Sequence, residues 1–285
     1  MGNTKISIIV PSYNQGRFLE DTLQSIIDQH YDDVEIIVMD GGSTDNSVEV
    51  IKKFEKHIAY WQSKKDAGQS NAINNGFKKA TGEFVTWLNS DDVLLSGALS
   101  HVDETIKKHP NCNFFLGNVV WMDKGGNLIR VGKVEPIHPF FAKRHLFSNG
   151  GPSAFMRKSV LESIGMLRED FHYMMDTELW HRLIATGHLP VRINSYIWGL
   201  RLHEDAKMSG HNFANSKLSD KSHPSWIQKK KESDFLSSAY PIDSNTFKHR
   251  IWRSFKLLQL SFYTRFWDRH LIGHHYSQIS LSKSI

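Results

Sequence analysis

The segment best suited to chemistry is a run of four polar residues, Asn89-Ser90-Asp91-Asp92. It follows the apolar residues Phe84–Leu88, which predict a buried strand that ends at the run. Adjacent carboxylates repel one another unless a cation lies beside them. Mg²⁺ and Mn²⁺ prefer oxygen ligands and often share them with a substrate phosphate. The run therefore indicates a divalent-cation site, although the same residues also suit a solvated turn that caps the next helix.

The elements that would position this run alternate between strand and helix. Apolar runs predict strands at Ile6–Val10, Val34–Met39, Ile58–Trp61 and Phe84–Leu88. The helices between them carry apolar residues at spacings of three and four. Such alternation is typical of a parallel sheet with right-handed crossovers, whose ligands bind at the carboxyl ends of the strands. We expect one rim to collect the polar residues at those ends: Tyr13, Asn14, Asp40, Asp66 and the run at 89–92.

The remainder of the chain changes character twice. A hairpin is predicted around Asp123-Lys124-Gly125-Gly126, a helix over Asp176–Ala185 and a last strand over Val191–Leu202. The segment 138–148 is aromatic and basic, and its residues 138–145 suit either the wall of a binding pocket or a surface loop. From about residue 211 the chain is basic and partly aromatic, and the spacing within 247–279 predicts an amphipathic helix. Neither a G-x-G-x-x-G nor a G-x-x-x-x-G-K-[ST] phosphate loop follows the first strand.

Composition limits the class of protein. The 285 residues are 40% hydrophobic and 23% charged, which suits one large domain or one domain with an appendage. A lone cysteine, Cys112, excludes an internal disulfide and favours a reducing compartment. No signal peptide precedes the first predicted strand, and no apolar run approaches the roughly 18 residues of a spanning helix. The net charge of +5 suits phosphate-bearing ligands or an anionic membrane surface.

Six ordered motifs resemble the family-2 glycosyltransferases with the GT-A fold, over roughly residues 5 to 210. They are S-I-I-V-P-S-Y-N, V-M-D-G-G-S-T-D, D-A-G-Q-S-N-A-I-N-N-G, W-L-N-S-D-D, M-D-T-E-L-W-H-R-L and R-L-H-E-D-A-K. The resemblance implies an α/β fold with a mixed, Rossmann-like sheet flanked by helices. It implies a nucleotide-sugar-binding half over 1–95 and an acceptor-binding and catalytic half over 96–210. The basic and aromatic residues 211–285 lie beyond the resemblance and are expected to form a helical C-terminal extension.

The resemblance also assigns residues to the sugar donor. The first loop contacts the nucleotide through Pro11, Tyr13 and Asn14. Asp40 accepts a hydrogen bond from the edge of the base. Asp66 and Gly68 lie beside the ribose and base, where a glycine lets the backbone approach closely. For Gly68, a simple turn into the following helix is the alternative.

The metal motif of the family is commonly D-x-D, whereas this chain has Asn89 at the first position. Asn89 is therefore assigned to donor binding, and the metal bonds are placed on Asp91 with Asp92 as its neighbour. His203, after the last predicted strand, completes the metal shell through a ring nitrogen. Arg201 meets the phosphate charge of the donor. The resemblance implies Mn²⁺ or Mg²⁺, bridging the two phosphates of the donor.

Asp176 matches the catalytic aspartate of the family at the start of a helix. The resemblance implies that it removes a proton from the acceptor hydroxyl, in a single displacement with inversion. The family usually has glutamate before this aspartate, and this chain has Met175. A helix N-cap or first-turn residue is the alternative role for Asp176.

The expected function is transfer of a hexosyl or N-acetylhexosaminyl group from a nucleotide sugar, UDP-linked by expectation, to a glycan or lipid-linked acceptor in surface polysaccharide assembly. A catalytically silent nucleotide-sugar binding protein and a sugar-phosphate nucleotidyltransferase are the alternatives. The C-terminal extension is expected to pack on the domain, with contact to a membrane surface as a second reading. A nucleic-acid partner is not expected, because no companion motif is present. These expectations place the protein in the cytoplasm, with peripheral membrane attachment as an option.

Overall fold

The computed structural model describes residues 2–134, 153–206, 224–240 and 269–278. The strands are β1 (Ile6–Ser12), β2 (Val34–Asp40), β3 (Tyr60–Ser63), β4 (Phe84–Trp87), β5 (Val93–Leu94), β6 (Phe114–Met122), β7 (Leu128–Gly132), β8 (Ala154–Arg157) and β9 (Val191–Arg201). The helices are α1 (Gly16–Ile27), α2 (Ser47–Lys53), α3 (Gln69–Lys79), α4 (Ala98–Lys108), α5 (Lys158–Ser163), α6 (Met175–Ala185) and α7 (Pro224–Ala239).

The nine strands of the described residues form one mixed sheet in the order β3-β2-β1-β4-β8-β6-β9-β5, with β7 paired to β6. The first four strands are parallel, as the strand–helix alternation predicts. The second half departs from that pattern, because β8 runs antiparallel to both β4 and β6. The parallel half supplies the carboxyl-end rim at which the polar loops meet.

Helices cover both faces of the sheet, so that β1 is buried on both sides. Ile8 belongs to the core that contains α1, α2 and α4, whereas Ile9 belongs to the opposite core with α3 and α6. Successive side chains of a strand point to opposite faces, so a strand buried on both sides reads as a continuous apolar run. In the second core Trp180 of α6 stacks on Trp87 of β4 at 5.7 Å between ring centroids. This stacking fixes α6 against the sheet.

The described part of the C-terminal extension packs on the domain. Helix α7 places Leu236 in the second core. Residues 269–278 form two short 3₁₀ segments and pair with the β6–β7 hairpin through a bridge between Asn127 and His275. The prediction of one helix over 247–279 is wrong for residues 269–278. There the backbone forms 3₁₀ turns and a β-bridge with the hairpin in place of α-helical hydrogen bonds. The remainder of that helix, and the segment 138–148, lie outside the described residues. Among those that the structure describes, no helix is both long and apolar enough to cross a membrane.

We predict that Gly76→Ala destabilises the protein although alanine favours helix. A Cβ at Gly76 would lie 2.5 Å from Cγ2 of Ile9, which is fully buried in β1. Overpacking of this kind costs about 1–3 kcal/mol, more than the roughly 1 kcal/mol gained in helix propensity. Urea unfolding should show a lower free energy of unfolding, whereas Lys78→Ala on the exposed face of α3 should change it little. A more stable Gly76→Ala variant would contradict this close packing.

Candidate active site

A cavity of about 820 Å³ opens at the carboxyl ends of the parallel strands. Eight of the residues predicted from sequence line it: Pro11, Tyr13, Asp66, Gly68, Asn89, Asp91, Asp92 and Arg201. Asn14, Asp40, Asp176 and His203 do not belong to its wall as the described residues form it. The polar residues at the strand ends therefore do surround a cavity, as predicted. Eight of the predicted residues face it, and the other four lie outside its wall.

The two loops at the first strand ends support each other through Asn14. Its backbone is left-handed, with φ of 53°, a conformation that asparagine tolerates better than most residues. The Asn14 amide donates to Ser43 Oγ at 2.8 Å, and its Oδ1 accepts from the Thr44 amide at 2.8 Å. Asn14 thus joins the two loops, while Tyr13, with 63% of its surface exposed, lies at the cavity.

Asp40 is buried and accepts four hydrogen bonds from its own chain. The donors are the amides of Gly42 and Ser43, at 3.1 and 2.9 Å, and the hydroxyls of Ser43 and Ser63, at 2.5 and 2.6 Å. These bonds shape the loop after β2, and Asp40 is not in the cavity wall. The contact with a base that the resemblance implies stays a prediction, because the structure gives the Asp40 carboxylate a supporting role.

Asp66 is the carboxylate that reaches the cavity in this region. Its Oδ1 accepts from the Gly68 amide at 2.8 Å. A Cβ at Gly41 would lie 2.9 Å from Asp66 Oδ2, so that glycine leaves room for the carboxylate. Gly68 has φ of +110°, a conformation that residues with a Cβ rarely adopt, immediately before α3. Gly68 therefore serves the turn into α3 and also lines the cavity.

The two adjacent aspartates have different surroundings. Asp92 is 2% exposed, and its carboxylate accepts from Asn89 Nδ2 at 2.9 Å, from Trp198 Nε1 at 3.2 Å and from the Arg201 amide at 3.0 Å. Burial, followed by the charge of Asp91, raises the pKa of Asp92 well above its ordinary value. Asp92 thus connects β9 with the loop that follows β4. An aspartate at position 89 would add a third carboxylate beside this pair, whereas the asparagine supplies a donor.

Asp91 lies against His203 at the cavity wall. Its Oδ2 is 3.0 Å from Nε2 of His203, whose ring is fully buried beside Phe18. The other ring nitrogen, Nδ1, is 3.2 Å from Nη2 of Arg17. Because a guanidinium only donates, Nδ1 accepts, and the ring hydrogen lies on Nε2, which donates to Asp91. Arg17 also pairs with Asp205 at 2.8 Å.

The spacing of Asp91 and His203 fits a shared divalent cation. Two neighbouring ligands of an octahedral ion, each about 2.1 Å from it, lie about 3 Å apart. The part of the chain that the structure describes contains no group of three or more His, Cys, Asp or Glu residues that could hold a metal. A metal bond to Asp92 stays a prediction, and both of its oxygens already accept hydrogen bonds from the protein. An ion here would need further ligands from a substrate.

Arg201 is tied to the protein at three points. Its guanidinium donates to the carbonyl oxygens of Asp91 and Lys124, both at 2.9 Å, and to Asp21 Oδ2 at 3.0 Å. These bonds join β9 to α1 and to the β6–β7 hairpin. Arg201 lines the cavity as predicted, but its bonds hold the loop that carries Asp91, and its contact with donor phosphates stays a prediction.

Asp176 is the second residue of α6 and is partly buried. Met174 occupies the N-cap, so Asp176 is a first-turn residue that the helix dipole favours. Its Oδ1 accepts from the amide and the hydroxyl of Thr177, at 2.6 and 3.2 Å. Burial raises the pKa of Asp176, although the bonds from Thr177 and the charge of Lys229 act in the opposite direction. A raised pKa suits a group that takes up a proton.

Several residues at the site were not predicted from sequence. The cavity wall also contains Lys65, Gln69, Trp121, His172 and Asp205. Gln69 lies within a quoted motif and donates to Asn89 Oδ1 at 2.8 Å. Arg17, behind His203, lies three residues after the end of the first motif. His172 carries no sequence signal of this kind, because only the loop before α6 brings it to the cavity.

The two aspartates should respond differently to truncation. Asp92→Ala leaves the Trp198 indole and the Arg201 amide without their buried acceptor, and each unsatisfied donor costs about 1–3 kcal/mol. We therefore expect Asp92→Ala to lower the free energy of unfolding by about 2–4 kcal/mol. Asp91→Ala removes one hydrogen bond, but Asp91 lines the cavity, so its truncation lets water reach the freed Nε2–H of His203. It also relieves the repulsion on Asp92, so its change should stay within about 1 kcal/mol. Equal losses in urea unfolding would refute this division of roles.

The model of glycosyl transferase family 2 matches residues 7–165, which is more than half of the chain. Among curated relatives, GalNAc(5)-diNAcBac-PP-undecaprenol beta-1,3-glucosyltransferase of Campylobacter jejuni is 36% identical over 188 residues, 63% of this chain and 59% of the relative. The chain spans 59% of the length of this relative and about a third of the lengths of several other curated relatives.

Solved structures share the fold at low sequence identity. Staphylococcus aureus TarS 1-349 in complex with UDP-GlcNAc superposes with a TM-score of 0.60 at 16% identity, over 86% of this chain and 77% of that one. The mannosyltransferase PcManGT of Pyrobaculum calidifontis, in complex with GDP-Man and Mn²⁺, gives 0.54 at 16% identity, over 94% and 88% of the two chains. The fold is thus the GT-A fold that the motifs imply. By the extent of the family match, the chain belongs to glycosyl transferase family 2.

Proposed function

We propose that the protein is an inverting glycosyltransferase that moves a sugar from a nucleotide-diphosphate donor, most simply a UDP-sugar, to a hydroxyl of a glycan or lipid-linked acceptor. The observation that carries the proposal is the pair formed by Asp91 and His203, whose facing atoms are 3.0 Å apart beside a cavity of about 820 Å³. Asp91 follows a parallel strand, and folds of this kind bind their ligands at the carboxyl ends of such strands.

The donor would lie along the cavity between the loops after β1 and β4. Tyr13 offers an exposed aromatic face on which a base can stack, and Asp66 offers a carboxylate oxygen to its N–H groups. The cavity volume is within the range of pockets that hold small-molecule ligands, about 300–1,000 Å³. Lys65 in the wall adds a positive charge for the diphosphate.

Asp91 and His203 are the residues that would hold Mn²⁺ or Mg²⁺. Carboxylate oxygen and imidazole nitrogen suit Mn²⁺ in particular, since a purely oxygen set would favour Mg²⁺. When bound, the ion would supply positive charge beside the two donor phosphates and the leaving nucleoside diphosphate. The neutral His203 tautomer must release its Nε2 hydrogen for this, which Arg17 opposes by donating to Nδ1.

Asp176 would act on the acceptor. As an ionised carboxylate it accepts the proton of the acceptor hydroxyl while that oxygen attacks the anomeric carbon and the bond to the diphosphate breaks. The attack and the departure occur on opposite faces, so the anomeric configuration inverts. His172 lines the cavity four residues before Asp176, which supports a place for the base close to the proposed donor site.

The similar proteins support a glycosyltransferase with a nucleotide-sugar donor. The Campylobacter jejuni relative is named for transfer to an undecaprenol-linked glycan, which motivates a lipid-linked acceptor and a peripheral place at the inner membrane face. TarS is seen with UDP-GlcNAc, and PcManGT with GDP-Man and Mn²⁺.

A silent nucleotide-sugar binding protein is the second candidate, because Asn89 replaces a carboxylate of the usual metal motif.

A panel of nucleotide sugars tests the activity. We expect at least one UDP-sugar to release UDP in the presence of Mn²⁺ and mixed glycan or polyprenyl-linked acceptors, with release abolished by EDTA and restored by excess Mn²⁺. Binding of UDP with no release from any donor would identify the silent protein. Release of pyrophosphate from a nucleoside triphosphate and a sugar phosphate would instead identify a nucleotidyltransferase.

Asp176→Asn should abolish transfer and spare donor binding. General-base catalysis contributes about 10²–10⁴-fold, so turnover should fall by that factor while UDP and Mn²⁺ still bind in calorimetry. Asp170→Asn, which changes an exposed carboxylate on the preceding loop, is the matched control and should keep its turnover.

Asp176, as the proposed base, should also determine how turnover falls at acid pH. Since burial raises the pKa of Asp176, turnover should fall as the pH drops through a value above the usual aspartate pKa of about 3.9. The residual activity of Asp176→Asn should lack this limb. A variant with normal turnover, or with the same acid limb, would remove Asp176 from the role of base.

A further inference from the structure

Glu232 of α7 is a buried carboxylate that takes no part in the proposed reaction. Only 3% of its surface is exposed. Its Oε1 accepts from the His172 amide at 2.7 Å, and its Oε2 accepts from the amides of Tyr173 and Met174 at 2.9 and 2.8 Å. A fourth bond comes from Gln228, one turn earlier in α7, at 2.9 Å.

The three amides are consecutive, and they lie immediately before α6. Successive N–H groups that point at one anion form a concave binding site for it. The N-terminus of a helix adds a positive dipole end, which favours negative charge. In this chain a carboxylate from another helix occupies that position. It fixes the backbone of the loop at three successive residues, which a single cap could not do.

This loop carries groups for both halves of the proposed reaction. Its first amide belongs to His172, which lines the donor cavity. A Cβ at Gly68 would lie 3.7 Å from the His172 ring, so the loop also borders the donor loop before α3. Its last amide belongs to Met174, two residues before Asp176. A shift of the loop would therefore move the proposed base and the cavity wall together.

Helix α7 is held in place independently of Glu232. Leu236 lies in the core that also contains Leu179 and Trp180 of α6. Phe235 packs edge-on against Phe171 at 5.5 Å between ring centroids. With these apolar contacts on the same helix, α7 has a fixed orientation and presents Glu232 to the loop. Lys229, half-buried on α7, also faces this region, and its charge acts on the pKa of Asp176.

We infer that Glu232 is a positioning residue for Asp176, so that a helix of the C-terminal extension completes the active site of the domain. The inference rests on the proposed function of Asp176. Glu232 does not touch the reacting atoms, and it acts through the backbone of residues 172–174. The extension then has a role in turnover that its polar and basic composition alone would not suggest.

Glu232→Gln tests the inference, because it keeps the side-chain size and replaces one accepting oxygen with an NH₂ donor. That group would face a backbone N–H and cannot accept from it. Hydrogen exchange measured by mass spectrometry, without donor, should become about tenfold faster in peptides that cover residues 171–177. Asp234→Asn removes an exposed carboxylate of the same helix and should leave these peptides unchanged. Unchanged exchange in Glu232→Gln would overturn the inference.

Kinetics then separate positioning from general stability. With the donor that gives the most nucleoside-diphosphate release in the panel, we expect kcat of Glu232→Gln to fall about 10–100-fold, since a misplacement of about 1 Å can cost 10²-fold. In the Asp176→Asn background the same substitution should cause no further loss. A full additional loss in that background would show a merely structural role and overturn the inference.

A second variant covers the case in which Glu232→Gln does not fold. Gln228→Ala removes one hydrogen bond to Glu232 and leaves its charge in place. It should lower kcat by about two- to fivefold and speed exchange in the same peptides. No change in either would overturn the inference. If wild-type protein turns over no donor, the proposed function fails, whereas the exchange result still decides whether Glu232 anchors the loop.

Discussion

The buried carboxylate of Asp92 is the interaction on which the site depends. It joins two segments that are distant in sequence, because one donor is Asn89 in its own loop and the other two are the Trp198 indole and the Arg201 amide of β9. With this joint in place, Asp91 is held at the cavity wall next to His203. The cost is that burial and the neighbouring charge disfavour its ionised form and raise its pKa. The three hydrogen bonds offset that cost.

A large part of this arrangement follows from the sequence. The apolar runs predict the four parallel strands to within two residues at most ends, and the polar residues at their carboxyl ends do surround a cavity. The order of the second-half strands does not follow, because antiparallel pairing of β8 with both β4 and β6 depends on contacts between distant segments. The spacing of apolar residues along a strand indicates which face of the sheet each one occupies, but it does not indicate which strand lies beside it.

The roles of individual carboxylates are also hidden from the sequence. Asp91 and Asp92 are adjacent and chemically identical, and both border the cavity. Only the direction of each side chain separates the partner of His203 from the carboxylate that is hydrogen-bonded to β9. Asp40 looks like a ligand-binding residue in its motif, yet four donors of its own chain surround it. Glu232 lies in a polar, basic segment, and nothing in the local pattern indicates that it is buried against a loop sixty residues earlier.

Hydrogen-bond saturation distinguishes supporting carboxylates from those suited to chemistry. Asp40, Asp92 and Glu232 each accept three or four bonds, distributed over both oxygens, and such carboxylates stabilise loops and have little capacity for a further ligand. In the part of the chain that the structure describes, the side-chain bonds of Asp176 both come from Thr177 and both end on Oδ1. Asp91 meets its histidine through Oδ2. Each of these two keeps an oxygen for a substrate proton or a cation, and the supporting carboxylates hold the loops that aim them.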